Sequence, residues 1–400
     1  MTPHALAQAV AIATTAMTVA GMGYFLTTIV AARLYLVERR KKLGPAAQDA
    51  PGVSVLKSLK GLDPSMLDAF RSHCRQNYAG EFELLFGVSS IDDPAAATVE
   101  QLQREFPDRA LRLIECPRRL GANGKVSTLM QLAEHARYDY FLINDSDITV
   151  SSRYLERVMA CFAIPPQVRG KTQAPVGLVT ALYRGRAHGT LASLLEAMGI
   201  ASDFLPGVLV SKWIEGGLHF GLGSTLAVSR EALEKAGGLL PLVDRLADDY
   251  ELGARVARAG YRVALSAEVV ETSVPAYNWR GFFDHQLRWM RTVRDARPAG
   301  YAGLVFTHGL AWALMNLLAS GANLVSIWLL ALSFFLRLAE AMTVGAEVLG
   351  DRQALATLWL LPLRDVMAMG LWVAGFAGST IVWRGERFVL NDGKLRKFGD

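Results

Sequence analysis

Tyr140-Phe-Leu-Ile143-Asn144-Asp145-Ser146-Asp147 decides how this chain is read. Its first four residues are almost continuously apolar, which suits a strand covered on both faces rather than one with a wet side. The apolar run ends on two carboxylates. At positions i and i+2 of extended backbone they point the same way, so Asp145 and Asp147 can approach one divalent cation. An Asx turn leading to a helix capped by Ser151 or Ser152 is the plainer alternative.

Similar short, β-rich stretches occupy residues 53–56, 82–88, 111–114 and 176–182, separated by helical patterns. Such alternation predicts an α/β domain built on parallel strands, with ligand groups just beyond the strands' carboxyl ends. A second acidic strand end follows residue 88, in Ser89-Ser-Ile-Asp92-Asp93-Pro94. Further on, Leu246-Ala-Asp248-Asp249-Tyr-Glu251 opens a helical stretch reaching Gly260. Carboxylates there are favoured by the helix dipole, and one of the Asp248/Asp249 pair could equally be a general base tuned by its neighbours. The sequence contains no Walker loop, no G-x-G-x-x-G and no internal repeat.

Composition places part of the chain in a bilayer. Of 400 residues 52% are hydrophobic and 20% charged, and the mean hydropathy is +0.23. Residues 9–32 carry no charge and are long enough at about 1.5 Å per residue to span a hydrocarbon core of roughly 30 Å. Arg33, Arg39, Arg40, Lys41 and Lys42 follow, which marks an anchor rather than a cleaved leader and places the next domain in the cytoplasm. Residues 298–336 are also uncharged and are broken by Ser320-Gly-Ala-Asn323, so a helical hairpin is expected; a third run covers 366–383. Three full spans cannot return the basic tail to the cytoplasm. One segment is then interfacial or re-entrant, or the tail lies outside. The net charge of +5 fits this orientation bias better than nucleic-acid binding. Three cysteines without a C-x-x-C pair support neither a disulfide framework nor a zinc site.

The expected domains are an anchor with its basic flank over 1–43, a weak linker at 44–52 and a cytoplasmic catalytic domain over 50–297. A membrane region and basic tail follow over 298–400. Near 280–297 Arg288, Arg291 and Arg294 recur every three residues beside Phe283, Leu287, Met290 and Val293. That pattern reads as an amphipathic helix on an anionic membrane surface, in which Arg288 and Trp289 could turn inward to a diphosphate and an acceptor.

The order Asp92-Asp93, Asp145-x-Asp147, Asp249, Arg288-Trp289 resembles that of GT-A glycosyltransferases acting on nucleotide sugars. Within them it is similar to the ceramide glucosyltransferase family and the related hopanoid-biosynthesis glycosyltransferases. Val53-Ser-Val-Leu-Lys57-Ser-Leu-Lys60-Gly61-Leu-Asp63-Pro64, Gly121-Ala-Asn123-Gly-Lys125-Val126 and Trp383-Arg384-Gly-Glu-Arg387-Phe388 extend the likeness over nearly the whole chain. The resemblance implies a GT-A domain between N- and C-terminal transmembrane helices in a bacterial inner membrane. It implies that Asp93, with Asp92, contacts the nucleotide base, that Lys125 sits near the uridine or diphosphate, and that Asp145 and Asp147 hold Mg²⁺ or Mn²⁺. Asp249 would be the catalytic base. His285, Arg288 and Trp289 would fill a Q/R-x-x-R-W motif, although His285 stands where that motif has Gln or Arg. Phe220-Gly-Leu-Gly223-Ser224 sits where the family has a glycine-rich acceptor-side loop, whose glycines could serve only a tight turn.

The expected reaction is transfer of a hexose from a UDP-sugar, UDP-glucose first, to a lipid hydroxyl such as that of ceramide. It would proceed as an inverting, metal-assisted single displacement. The alternatives are a hopanoid-type enzyme using UDP-N-acetylglucosamine, a processive polysaccharide synthase, and a membrane protein whose soluble domain only binds ligand.

Overall fold

The computed structural model describes residues 2–42, 50–163, 167–168, 171–172, 174–383 and 385–398; most of the expected 44–52 linker lies outside them. The chain folds as two compact units. A sheet unit comprises Arg39–Arg186, Glu215–Pro275 and Phe388–Asp400, and a helical unit Met1–Glu38, Ala187–Ile214 and Ala276–Arg387.

In the sheet unit, β1 (Val53–Ser58), β2 (Phe82–Val88), β3 (Leu111–Glu115), β4 (Tyr140–Ile143), β5 (Ile148–Thr149), β6 (Val176–Ala187), β7 (Leu226–Ser229) and β8 (Arg262–Val274) form one sheet. Its order is β3-β2-β1-β4-β7-β6-β8-β5. The first four strands are parallel, as the sequence pattern implies. The apolar runs of β1, β2 and β4 are buried almost end to end, while β3, at the sheet's edge, is fully buried only at Leu111. Beyond β4 the expectation of parallel strands fails. β7 runs antiparallel to β4 and to β6, and β5 antiparallel to β8. The helical stretch Leu191–Ile214 separates β6 from β7, and the chain enters β7 through the tight turn at 222–225, where Thr225 N donates to Leu222 O at 3.1 Å. The consequence is geometric: the carboxyl ends of β1, β2 and β4 share one edge, and the loop before β7 reaches the same edge from the other side.

Two helices frame that edge. α2 (Gly124–Glu134) is capped by Asn123, whose side chain accepts from Val126 N, and α3 (Asp248–Arg258) carries three acidic residues in its first turn. α3 lies hard against the 220–223 loop. A Cβ on Gly253 would fall 2.1 Å from Gly221 N, and one on Gly221 would fall 2.8 Å from Asp249 O. Neither Gly221 nor Gly223 has a positive φ. These glycines therefore serve close backbone approach rather than a left-handed turn. The plainer reading of the Asp145 segment is also revised, since the helix that follows, Tyr154–Met159, begins at Arg153 with no side-chain cap.

Among the described residues, four helices of the helical unit are long and apolar enough to cross a membrane. They are Ala5–Lys41, the core of α1 (Pro3–Lys42), then Leu191–Ile214, Leu324–Val348 and Leu358–Gly375. A pair bent by 56°, Pro298–Thr307 and Gly309–Ala319, could supply a fifth. The break expected at 320–323 is present, whereas the 366–383 run is split: its helix ends at Gly375 and residues Thr380–Trp383 form a strand. Leu191–Ile214 is absent from the sequence expectation because Glu196, Asp203 and Lys212 interrupt its apolar run. Those charges are matched inside the unit. Arg337 donates to Asp203 at 2.8 Å and to Asp365 at 2.6 Å, and Arg364 pairs with Asp203 at 2.8 Å. Buried ions in an apolar bundle are tolerated only when matched in this way.

Replacing Gly253 by Ala forces the backbone of α3 and the 220–223 loop apart, at an expected cost of about 1–3 kcal/mol. Unfolding of the detergent-solubilised protein measures this, and an unchanged midpoint would show that the two segments are not in contact.

Candidate active site

The shared edge of the sheet collects charge. Asp145 and Asp147 leave the end of β4, and the site is wedged in place by Asn144, whose Nδ2 donates to Ser224 O at 2.6 Å and to the Tyr154 hydroxyl at 2.9 Å. Lys125, in the first turn of α2, lies 2.7 Å from Asp145 Oδ1 and 3.5 Å from Asp248 Oδ2. Asp249 faces Asp145 across Gly223. A Cβ there would sit 2.9 Å from Asp249 Oδ2 and 3.6 Å from Asp145 Oδ2, so the glycine keeps open the space between the two carboxylates. The Asp147 carboxylate accepts from the Thr272 hydroxyl, and Ser146 donates to Asp63 in the loop after β1.

The segment before α3 is sewn to the start of α2. Asn123 N donates to Val243 O at 2.6 Å, its Nδ2 to Arg245 O at 2.8 Å, and Ala122 N to Asp244 Oδ1 at 2.8 Å. These bonds fix the distance between Lys125 and the Asp248-Asp249 pair.

Electrostatics follow from this crowding. Burial, with Asp248 beside it, pushes the Asp249 carboxyl up to about 6. Burial and the neighbouring Asp145 likewise push Asp147 up to about 6, against the Thr272 hydrogen bond. Burial also raises Asp248, with Lys125 opposing. For Lys125 burial opposes the charge, but Asp145, Asp248 and Asp249 together outweigh it and hold the ammonium protonated. Lys57, fully buried in β1, donates to Asp145 O at 3.1 Å. Burial lowers it to about 7, while Asp147 and Asp145 pull it back up. An excess of carboxylates over cations is thus confined to one half-buried space.

Four of the residues singled out in the sequence, Lys125, Asp145, Asp147 and Asp249, converge here. Asp93 lies on the adjacent loop after β2, where its carboxylate accepts from Gly61 N at 3.0 Å and Ala95 N at 2.9 Å and ties that loop to the one following β1. Asp92 is exposed and bonds only locally, its N–H donating to the Ser90 hydroxyl at 3.2 Å. His285, Arg288 and Trp289 belong to the helical unit, on α4 (Trp279–Ala296). His285 Nδ1 is 3.0 Å from Glu196 Oε1, and Trp289 packs on Phe204 at 5.8 Å. Gln286 donates to the other Glu196 oxygen at 2.5 Å. Arg291 and Arg294 on the same helix both donate to backbone carbonyls in the 375–380 segment, Arg294 to Gly375 O at 2.7 Å. Such bonds satisfy carbonyls left unpaired at a helix end.

Among the described residues no three His, Cys, Asp or Glu side chains could hold a metal ion by themselves. Asp145 and Asp147 nevertheless form an all-oxygen, two-carboxylate set. Mg²⁺ and Mn²⁺ accept such sets when substrate phosphates and water complete the shell. The donors present therefore fit a cation brought together with a diphosphate.

Comparison with known proteins shows the family. The pattern that defines Glycosyl transferase family 21 matches residues 13–396. The chain belongs to that family. Among its relatives are ceramide glucosyltransferase 3 of Caenorhabditis elegans, 24% identical over 365 residues, covering 85% of this chain and 73% of that one. Ceramide glucosyltransferase 1 of the same animal is 23% identical over 358 residues, covering 86% and 73%. Among solved structures, a mannosyltransferase from Pyrobaculum calidifontis in complex with GDP-mannose and Mn²⁺ superposes with a TM-score of 0.51 at 21% identity, over 92% of this chain and 97% of that one. This family 21 glycosyltransferase thus has the GT-A-like fold expected of it, and its apolar helices fit a membrane protein.

Lys57, Asp63 and Thr272 were not recognised in the sequence as parts of the site, whereas Gly223 was expected in an acceptor-side loop. Lys57 left a signal, a lysine inside an otherwise apolar strand.

Because the Asp249 pKa is raised on folding, the folded state binds the extra proton, and stability is lost as pH climbs through about 6. In cation-free buffer Asp249→Asn should therefore exceed the parent in stability at pH 7, by on the order of 1–3 kcal/mol, with the gap closing by pH 4. Denaturation midpoints across that range check it, and coincident curves would refute the strained carboxylate.

Proposed function

We propose that this enzyme transfers a hexose from a UDP-sugar, UDP-glucose before others, to the hydroxyl of a membrane lipid of the ceramide type. The carrying observation is Asp249 and Asp145 facing each other across Gly223, with Lys125 alongside. A base and a charge-neutralising pole stand on opposite sides of a space that a side chain would fill. The lipid acceptor is supported by the ceramide glucosyltransferase relatives and by the apolar helices.

The acceptor's oxygen attacks the anomeric carbon as the bond to the diphosphate oxygen breaks, and its proton passes to Asp249. A carboxylate with its pKa pushed to about 6 is ionised at neutral pH yet basic enough to take that proton. A single displacement of this kind inverts the anomeric carbon and needs no nucleophilic carboxylate. Asp145 and Asp147 would hold Mg²⁺ or Mn²⁺, which when bound supplies positive charge against the departing diphosphate. Lys125 adds an ammonium locked in its charged form. Asp92 and Asp93 are assigned to the loop bordering the nucleotide base, Asp93 shaping it through Gly61 rather than offering a free carboxylate. His285, Arg288 and Trp289 are assigned to the diphosphate and acceptor, as the order of motifs in the sequence implies. The sheet unit faces the cytoplasm of a bacterial inner membrane, supported by the basic residues that close α1.

Asp249→Asn should lower kcat about 10²–10⁴-fold with donor binding retained. Retention of turnover by that folded variant would remove the base. The decisive assay offers UDP-glucose and UDP-N-acetylglucosamine with ceramide, diacylglycerol and a hopanoid; product only from UDP-N-acetylglucosamine and hopanoid would replace the reading with the hopanoid-type one. Separately, Mn²⁺ with UDP should raise the melting temperature of the parent and leave that of Asp147→Asn unmoved. Equal shifts in both would take the cation away from Asp147.

A further inference from the structure

The last residues of the chain do not trail into solvent. β9 (Glu386–Asn391) and β10 (Lys394–Lys397) form an antiparallel hairpin with Asn391 opposite Lys394. Its turn is Asp392-Gly393, with φ of 52° and 71°. Two positive φ values in a two-residue loop match the right-handed twist of the flanking strands, and Asp-Gly is among the pairs that tolerate them best. Phe388, Leu390 and Leu395 are buried, whereas Lys394, Arg396 and Lys397 are exposed. The hairpin therefore has one face committed to the protein.

What it docks on is the segment that enters α3. Leu395 N donates to Asp244 O at 2.7 Å, Leu246 N donates to Gly393 O at 3.3 Å, and Arg245 forms an isolated antiparallel bridge with Lys394. The Arg245 guanidinium donates to Asp392 O at 2.5 Å. A Cβ on Gly393 would stand 2.6 Å from the same guanidinium, so the turn is shaped to receive it. Residues 244–246 are thereby held on both sides. The hairpin supplies main-chain bonds along one, and Asn123 takes Arg245 O and Asp248 Oδ1 on the other, at 2.8 and 3.4 Å. Two residues further on stand Asp248 and Asp249.

We infer that the C-terminal hairpin is a positioning element of the active site: it adds as a strand to residues 244–246 and sets the place of Asp249 relative to Asp145. Arg245 and the Asp392-Gly393 turn are its positioning residues. The reason is mechanical. α3 begins with the neighbouring carboxylates of Asp248 and Asp249, which raise each other's cost of ionisation, and the ammonium of Lys125 stands 3.5 Å from Asp248, whereas Glu251 in the same turn is paired with Arg255 and Arg258. Without a clamp, the first turn would swing away from Asp145, and the proton acceptor would go with it. Edge pairing offers main-chain bonds that do not depend on the ionisation of the site. A shift of about 1 Å in a catalytic group is enough to cost roughly 10²-fold in rate.

This inference rests on the reading of Asp249 as the base, and the two can be separated experimentally. In the full-length, detergent-solubilised enzyme, Arg245→Ala and Gly393→Val are compared with Asp249→Asn and the parent. Steady-state kinetics and UDP binding are read together with hydrogen exchange over residues 243–250. The clamp predicts that Arg245→Ala lowers kcat at least 10-fold, changes donor KM less than threefold, and speeds exchange in 243–250 without changing the melting temperature. Gly393→Val should act in the same direction and further. If Arg245→Ala keeps parental kcat while Asp249→Asn is inactive, the clamp is wrong and the base stands. If Asp249→Asn is active, the base is wrong whatever the hairpin does. Should Gly393→Val fail to fold, Arg245→Ala alone decides. A loss in Arg245→Ala shared equally between kcat and donor binding, with a lower melting temperature, would make the hairpin merely structural and overturn the inference.

Discussion

Lys125 shares its ammonium between Asp145 and Asp248, and the order of the site follows from that sharing. Asp145 ends a strand and Asp248 starts a helix more than a hundred residues later; each repels its own neighbours, Asp147 and Asp249. One cation between them converts two like-charged termini into a joint. The ion is itself placed by backbone, since Asn123 caps α2 and ties its first turn to residues 243 and 245. The site can therefore carry more negative charge than positive, which a protein tolerates where a cationic partner arrives with the substrate.

The helical unit solves a different problem. Its helices are apolar outside, yet it contains Arg337, Arg364, Asp203, Glu340 and Asp365 packed together. Gly199 permits this, because a Cβ there would collide with the Arg364 guanidinium at 2.3 Å. From Arg364 the chain of contacts continues through Gln286 at 3.1 Å to Glu196 and on to His285. Gln286 is thus a buried link, and His285 the outer end, of an internal polar network, which fixes the rotation about its axis of the helix that bears Arg288 and Trp289.

How much of this could be read beforehand depended on the range of the interaction. The four parallel strands were legible because burial on both faces leaves continuous apolar runs, and Asp145 with Asp147 because spacing alone aligns them. The antiparallel half was not, since β7 is only Leu226–Ser229 and its direction is set by a turn, not by composition. Leu191–Ile214 hid behind charges whose partners lie at 38, 285, 337 and 364, distances no local window spans. Lys57 escaped for the same reason, since it matters through residues that come later in the sequence; Gly223 was legible as part of a loop, but not the contact its missing side chain leaves between Asp145 and Asp249. The Asp392-Gly393 turn was visible in principle, as an Asp-Gly pair between short β-prone stretches.

The N-terminal helix meets the bundle at a point of unusual intimacy. A Cβ on Gly21 would lie 2.2 Å from the Gly309 Cα, and Thr14 and Thr15 both donate to Asn316 Oδ1, at 3.3 and 3.0 Å. Small residues facing each other with hydroxyl–amide bonds nearby are how helices recognise one another in lipid. This first span is consequently a keyed component rather than a tether. An unrelated leader of equal length and greasiness would hold the enzyme at the bilayer and still leave a groove where its own helix belongs.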